Sequence, residues 1–165
     1  MGGQPKKSSS GQEPAHSRED IETLFRGIRA RSMALAAPLT AEDQCIQSMA
    51  DVSPTKWHLA HTSWFFETFI LKPFGGGYGE FHPDYDYLFN SYYQAVGPRH
   101  ERPKRGLLSR PPLEEIHAYR RHVEEATERL IAGAGDDAWN RITPLIELGL
   151  NHEQQHQELM LTDIK

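Results

Sequence analysis

Near one end of the chain stands NHEQQHQEL, residues 151–159, in which His152, Glu153 and His156 spell H-E-x-x-H. On a helix, histidines four residues apart share a face and come close enough to bind one metal ion. In zinc proteases the intervening glutamate is the general base and a third protein ligand follows downstream. Only nine residues follow His156, and neither Glu158 nor Asp163 among them is well placed to supply it. A third ligand must therefore come from upstream, where the apolar stretch TKWHLAHTSWFFETFILK offers His58 and His61.

Positioning such residues requires long helices, and the sequence supplies their signals. Ser17 reads as an N-cap, followed by acidic Glu19 and Asp20 and by Ile21, Leu24, Phe25 and Ile28 at helical spacing, which predicts a helix to about Ala37, before Pro38. A short helical turn is expected from Thr40, with Asp43 three residues on. Ser53-Pro54 starts a second helix that runs to Pro73, and because it is apolar on nearly all sides it must be mostly buried. Residues 74–112, rich in Gly, Pro and aromatics, are too many for an idle connection. They predict a functional crossover with a helical piece around Tyr87–Ala95. A third helix is expected from near Pro112 to about Ala132, and a fourth from Asp137 or Thr143-Pro144 to the end of the chain. Four long helices with no convincing strand predict an all-α four-helix bundle over residues 17–165, with residues 1–16 as a disordered tail.

Helical geometry then sorts the candidates. At about 100 degrees per residue, Ile142, Leu145, Ile146, Gly149, Met160 and Asp163 fall within about 60 degrees of one inward direction. His156 lies about 40 degrees and His152 about 80 degrees from it, and Glu153 lies between Ile142 and Ile146. Glu158 points nearly opposite His156 and cannot reach the same ion on a straight helix. On the upstream helix His61 lies beside Trp64, Thr68 and Leu71, whereas His58 sits nearer the boundary, so His61 is the better third ligand. The run Arg99, Arg102, Lys104, Arg105 and Arg110 is able to hold a substrate carboxylate.

Composition narrows the function classes. With 165 residues and 38% hydrophobic content, the chain suits one compact domain. A net charge of -5 disfavours binding to nucleic acid or an anionic membrane. Cys45 is the only cysteine, which excludes an internal disulfide and a cysteine-based metal cluster and suits a reducing cytosol. No stretch approaches the roughly 18 apolar residues of a membrane span, and MGGQPK carries Lys6 where a myristoylation signal needs Ser or Thr. The expectation is a cytoplasmic protein.

Three stretches in order, SPTKWHLAHTSWFFETF, FHPDYDYLFNSYYQAVGPRH and NHEQQHQELMLTDIK, resemble the N-terminal DinB-like domain of the ergothioneine-biosynthesis sulfoxide synthases, a family with ovothiol-type and selenoneine-type relatives. The resemblance covers about residues 17–165. It implies a mononuclear non-haem Fe(II) centre held by His61, His152 and His156, with Glu158 closing an HxxxHxE motif as an outer hydrogen-bonding partner. It also implies an O2-dependent oxidoreductase that joins a cysteine-type thiol, cysteine or gamma-glutamylcysteine, to the imidazole of hercynine, forming a C–S bond and a sulfoxide. Arg99 and Arg102 are the crossover residues it suggests for a substrate carboxylate.

Such enzymes continue into a larger domain resembling formylglycine-generating enzymes, which completes the pocket and supplies a catalytic tyrosine. A chain that stops at Lys165 is therefore expected to hold the metal without completing C–S bond formation, unless that domain is supplied in trans. Two other readings stand beside this one: a stand-alone DinB-like metal-dependent thiol transferase or hydrolase, and a metal-free helical interaction module. Ligand type alone excludes neither zinc, copper nor nickel.

Overall fold

A computed structural model describes residues 16–91, 95 and 97–164, and all regular structure among them is helical. Helix α1, Arg18–Ala36, starts where the sequence places it. The Ser17 hydroxyl accepts from the Asp20 amide at 3.1 Å, and the Asp20 carboxylate accepts from the Ser17 amide at 3.0 Å. This reciprocal cap satisfies two N–H groups that have no partner within the helix. Thr40 and Asp43 repeat the device, at 3.2 and 2.9 Å, around the 3-10 turn Asp43–Cys45.

Helix α2, Thr55–Phe66, is buried at every residue. A helix without a polar stripe has no face to give to water, so it becomes the centre of the bundle. Helices α5 (Leu113–Gly133) and α6 (Asp136–Asp163) pack on it, and α1 packs chiefly on α6. Phe25 of α1 meets Phe66 of α2 edge to face, with ring centroids 5.3 Å apart. Gly149 permits the close approach of α6 to α2, since a Cβ there would lie 2.8 Å from Phe66 Cζ.

Beyond Phe66 the chain continues through a π turn, Glu67–Leu71, into the short α3, Lys72–Phe74. The wider turn sets Glu67 inside the protein, where the hydroxyls of Tyr78 and Tyr119 donate to its carboxylate at 2.5 and 2.6 Å and the Phe81 amide donates at 3.1 Å. Those three donors come from the crossover and α5, so a buried, hydrogen-bonded side chain ties the crossover to the bundle.

Within the crossover a helical piece forms at Tyr85–Phe89, as α4, starting two residues earlier than the expected Tyr87–Ala95, and Ala95 has 3-10 geometry. The residues 92–94 of that expectation lie outside the described residues, as do residues 1–15 of the expected tail. Asp86 explains the earlier position: its carboxylate accepts from Trp64 Nε1 at 2.9 Å, Thr68 Oγ1 at 3.2 Å and Lys72 Nζ at 2.7 Å. A further 3-10 helix, Arg102–Leu107, was not expected from the sequence. The last helix begins at Asp136, so Pro144 lies inside α6, exposed, with its missing hydrogen bond on the solvent side. Among the described residues no helix is long and apolar enough to cross a membrane.

Candidate metal centre

His61 of α2 and His152 and His156 of α6 converge, each offering a nitrogen within 4.8 Å of the others. His61 Nε2 and His152 Nε2 are 3.2 Å apart. Two imidazole nitrogens bonded to one ion at about 2.1 Å each lie about 3 Å apart in neighbouring positions, so this spacing suits a shared ion.

The rings are held by the fold. His61 Nδ1 donates to the Phe89 carbonyl at 2.6 Å, which places its proton and leaves Nε2 as the nitrogen with the lone pair. Its ring lies parallel to Trp57, with centroids 4.5 Å apart and planes 14° apart, and to Trp64 on its other flank at 5.4 Å and 16°. The C-terminal end of α4 therefore aims His61, and Asp86, bound to Trp64 Nε1, anchors α4 in turn. His152 rests on Phe65 with centroids 4.7 Å apart, and its Nδ1 is buried without a hydrogen-bond partner.

Burial also settles the charge of the rings. Loss of water pushes the His152 pKa down to about 4 and those of His61 and His156 well below the ordinary histidine value, with neighbouring rings and Arg105 lowering the latter two further. All three imidazoles are neutral near pH 7, the state in which histidine binds metal.

Glu153, one residue from His152, has a different environment. Its carboxylate is fully buried and meets Arg29 Nη1 at 3.0 Å, Arg120 Nη2 at 2.9 Å and Ser32 Oγ at 2.6 Å. Burial alone would raise its pKa, but the two guanidiniums and the hydroxyl hold it at about 2. A carboxylate so saturated is a poor proton acceptor. It is an ion-pair partner joining α1, α5 and α6, and the H-E-x-x-H spelling carries no protease general base here.

Glu158 lies on the exposed side of α6 and outside the cavity that the histidines face. Among the described residues no helix covers it, and it makes no contact with the ligand rings there. The buried partner of His156 is instead His58, whose Nδ1 lies 2.8 Å from His156 Nδ1, and whose Nε2 lies 2.8 Å from Asp163 Oδ2. His58, expected nearer the boundary, is 2% exposed. The inward register of Asp163 on α6 was a signal for this pair; the position of His58 on α2 was not, because helix geometry alone does not show that both flanks of α2 are covered.

The histidines face a cavity of about 500 Å³, bordered also by Trp57, Arg102, Arg105 and Gln155. Arg105 is buried in the wall beside the cluster. Its guanidinium stacks 3.4 Å from the Trp57 ring centroid and donates to Ser53 Oγ at 2.8 Å. Arg102 borders the same cavity and donates to the Asp51 carbonyl at 3.2 Å. Arg99 is exposed and borders an adjoining cavity of about 500 Å³ that shares Asp51, Ser91, Arg102 and Arg105 with the first.

The arrangement can hold a divalent ion on three neutral nitrogens, leave its other positions toward a cavity, and offer anion contacts on the wall. A search of curated proteins finds no match to this chain. A family model of the DinB superfamily matches residues 24–160, spanning the bundle and the histidine cluster. The chain belongs to the DinB superfamily.

Proposed function

We propose that this domain holds Fe(II) on His61, His152 and His156 and serves an O2-dependent sulfoxide synthase that joins a cysteine-type thiol to hercynine. One observation carries the reading: three neutral imidazoles, two buried and one half-buried, converge without a carboxylate among them on a cavity whose wall bears an arginine stacked on Trp57. Membership of the DinB superfamily supports a metal-binding role, and the resemblance of three ordered motifs supports the finer assignment. The Nε2 atoms of His61 and His152, 3.2 Å apart, fit a group that takes up ring lone pairs. When bound there, Fe(II) would supply redox chemistry toward O2 and acidify a thiol placed beside it.

The remaining steps fall to the chain's own residues. Phe89, Trp57 and Trp64 keep the His61 ring from turning. Arg105 and Arg102 give the cavity positive charge, which suits the carboxylate that hercynine and both candidate thiols carry. Arg99 extends that charge into the adjoining cavity, where the longer gamma-glutamylcysteine would reach. On this reading a second domain closes the open side and completes the chemistry, and the setting is cytoplasmic.

The test is binding of hercynine and of cysteine or gamma-glutamylcysteine to Fe(II)-loaded protein without oxygen, followed by calorimetry. The expected result is metal-dependent binding of both, with Arg105→Met weakening the thiol or hercynine at least tenfold; absence of both would reject the sulfoxide synthase reading. The three-imidazole donor set also suits zinc, so sulfur transfer by the zinc-loaded protein without O2 would replace it with the thiol transferase reading.

A further inference from the structure

We infer that His58, oriented by Asp163, is a positioning residue that fixes His156 as an Nε2 ligand; the inference rests on the metal-centre reading above. His58 lies one helical turn before His61 on α2 and lines the same cavity, yet it is not one of the three convergent nitrogens. Both of its ring nitrogens are engaged, at 2.8 Å to Asp163 Oδ2 and at 2.8 Å to His156 Nδ1.

Hydrogen-bond chemistry orders the protons along this chain. An ionised carboxylate only accepts, so His58 carries its proton on Nε2 and presents a lone pair at Nδ1. The 2.8 Å contact between the two Nδ1 atoms needs one proton, which therefore sits on His156. That leaves the His156 Nε2 lone pair free for an ion. Asp163 is itself fixed, because the Ser53 amide donates to the same Oδ2 at 3.0 Å. The start of α2 and the end of α6 are thus joined through the residue that sets the tautomer of His156.

Outer partners of this kind matter to metal affinity by about 10–100-fold. The test uses the 165-residue chain, titrated anaerobically with Co(II), whose visible absorption reports ligand geometry, and with Fe(II) against a competing chelator. His58→Phe, which removes the acceptor, is expected to weaken both ions by about 10–100-fold and to alter the Co(II) spectrum. Asp163→Ala should move affinity in the same direction by a smaller factor. His58→Gln, whose amide oxygen can accept from His156 Nδ1, should restore affinity to within about threefold of wild type and recover its spectrum. Thermal unfolding of the metal-free variants separates loss of packing from loss of positioning.

Wild-type affinity and spectrum in folded His58→Phe would overturn the inference. Should His58→Phe fail to fold, wild-type affinity in Asp163→Ala would overturn it, and weakened affinity there with recovery in His58→Gln would support it. A wild-type chain that takes up neither ion would instead reject the metal-centre reading itself.

Discussion

Two polar clusters lie side by side on α6, one around Glu153 and one around His152 and His156, and they handle burial in opposite ways. The Glu153 cluster is charged and closed: Arg29 and Arg120 occupy its carboxylate, Ser32 adds a third contact, and Glu124 meets Arg29 at 2.9 Å on the flank. The histidine cluster is neutral and open: burial keeps its rings uncharged, His152 Nδ1 has no hydrogen-bond partner, and the group faces a cavity. A buried charge whose partners are all present holds elements together, whereas neutral imidazole nitrogens that converge beside a cavity offer a place for a ligand. Adjacent residues of one motif thus serve different ends.

The contrast should break first at Glu153. Glu153→Ala leaves two buried guanidiniums, Arg29 and Arg120, to share the single flanking carboxylate of Glu124, so chemical denaturation should show a loss of about 3–5 kcal/mol. A protease general base would instead cost activity with little change in stability. Gly149→Ala tests the shared scaffold: a Cβ 2.8 Å from Phe66 Cζ forces α6 from α2, for an expected loss of about 1–3 kcal/mol. Metal affinity should fall with it, because His61 and the other two ligands stand on those two helices.

Acid should separate the clusters by the window in which each fails. The pKa of His152 is about 4 in the folded chain against an ordinary 6.5, so both states are neutral above pH 6.5 and the ring then adds no pH dependence. Below 6.5 the unfolded chain takes up a proton that the folded chain refuses, and stability falls toward pH 4. The slope is at most about 1.4 kcal/mol per pH unit for each such histidine. Glu153 has its folded pKa near 2 against 4.5, so its contribution is complete above 4.5 and is lost only between there and 2. Metal-free denaturation across pH 7 to 5 should therefore show the histidine loss alone. A smaller effect is expected at the α1 cap, where Ser17→Ala should cost about 1 kcal/mol and leave metal affinity unchanged.

Much of this was legible where local rules decide. The Ser17 and Thr40 caps follow from residue chemistry, and the buried course of α2 follows from its lack of a polar stripe. His61, His152 and His156 were legible because their spacing and inward register both pointed to one interior. Glu153 was placed inward by the same register, but its partners lie 124 and 33 residues away on α1 and α5, beyond any local pattern. Glu158 was drawn in by motif letters although its register pointed outward, and it lies on the exposed side of α6. The crossover was least legible, since Asp86 fixes α4 by contacts to α2 and its extension, and Arg105 reaches the cluster only once that segment is folded against Trp57.

The most direct measurement of the central claim is anaerobic Fe(II) titration of the wild-type chain and of His61→Ala, His152→Ala and His156→Ala, each confirmed as folded by circular dichroism. One ion per wild-type chain is expected, with affinity reduced at least a hundredfold in every variant. Equal affinity in all four proteins would contradict a centre built on these three histidines.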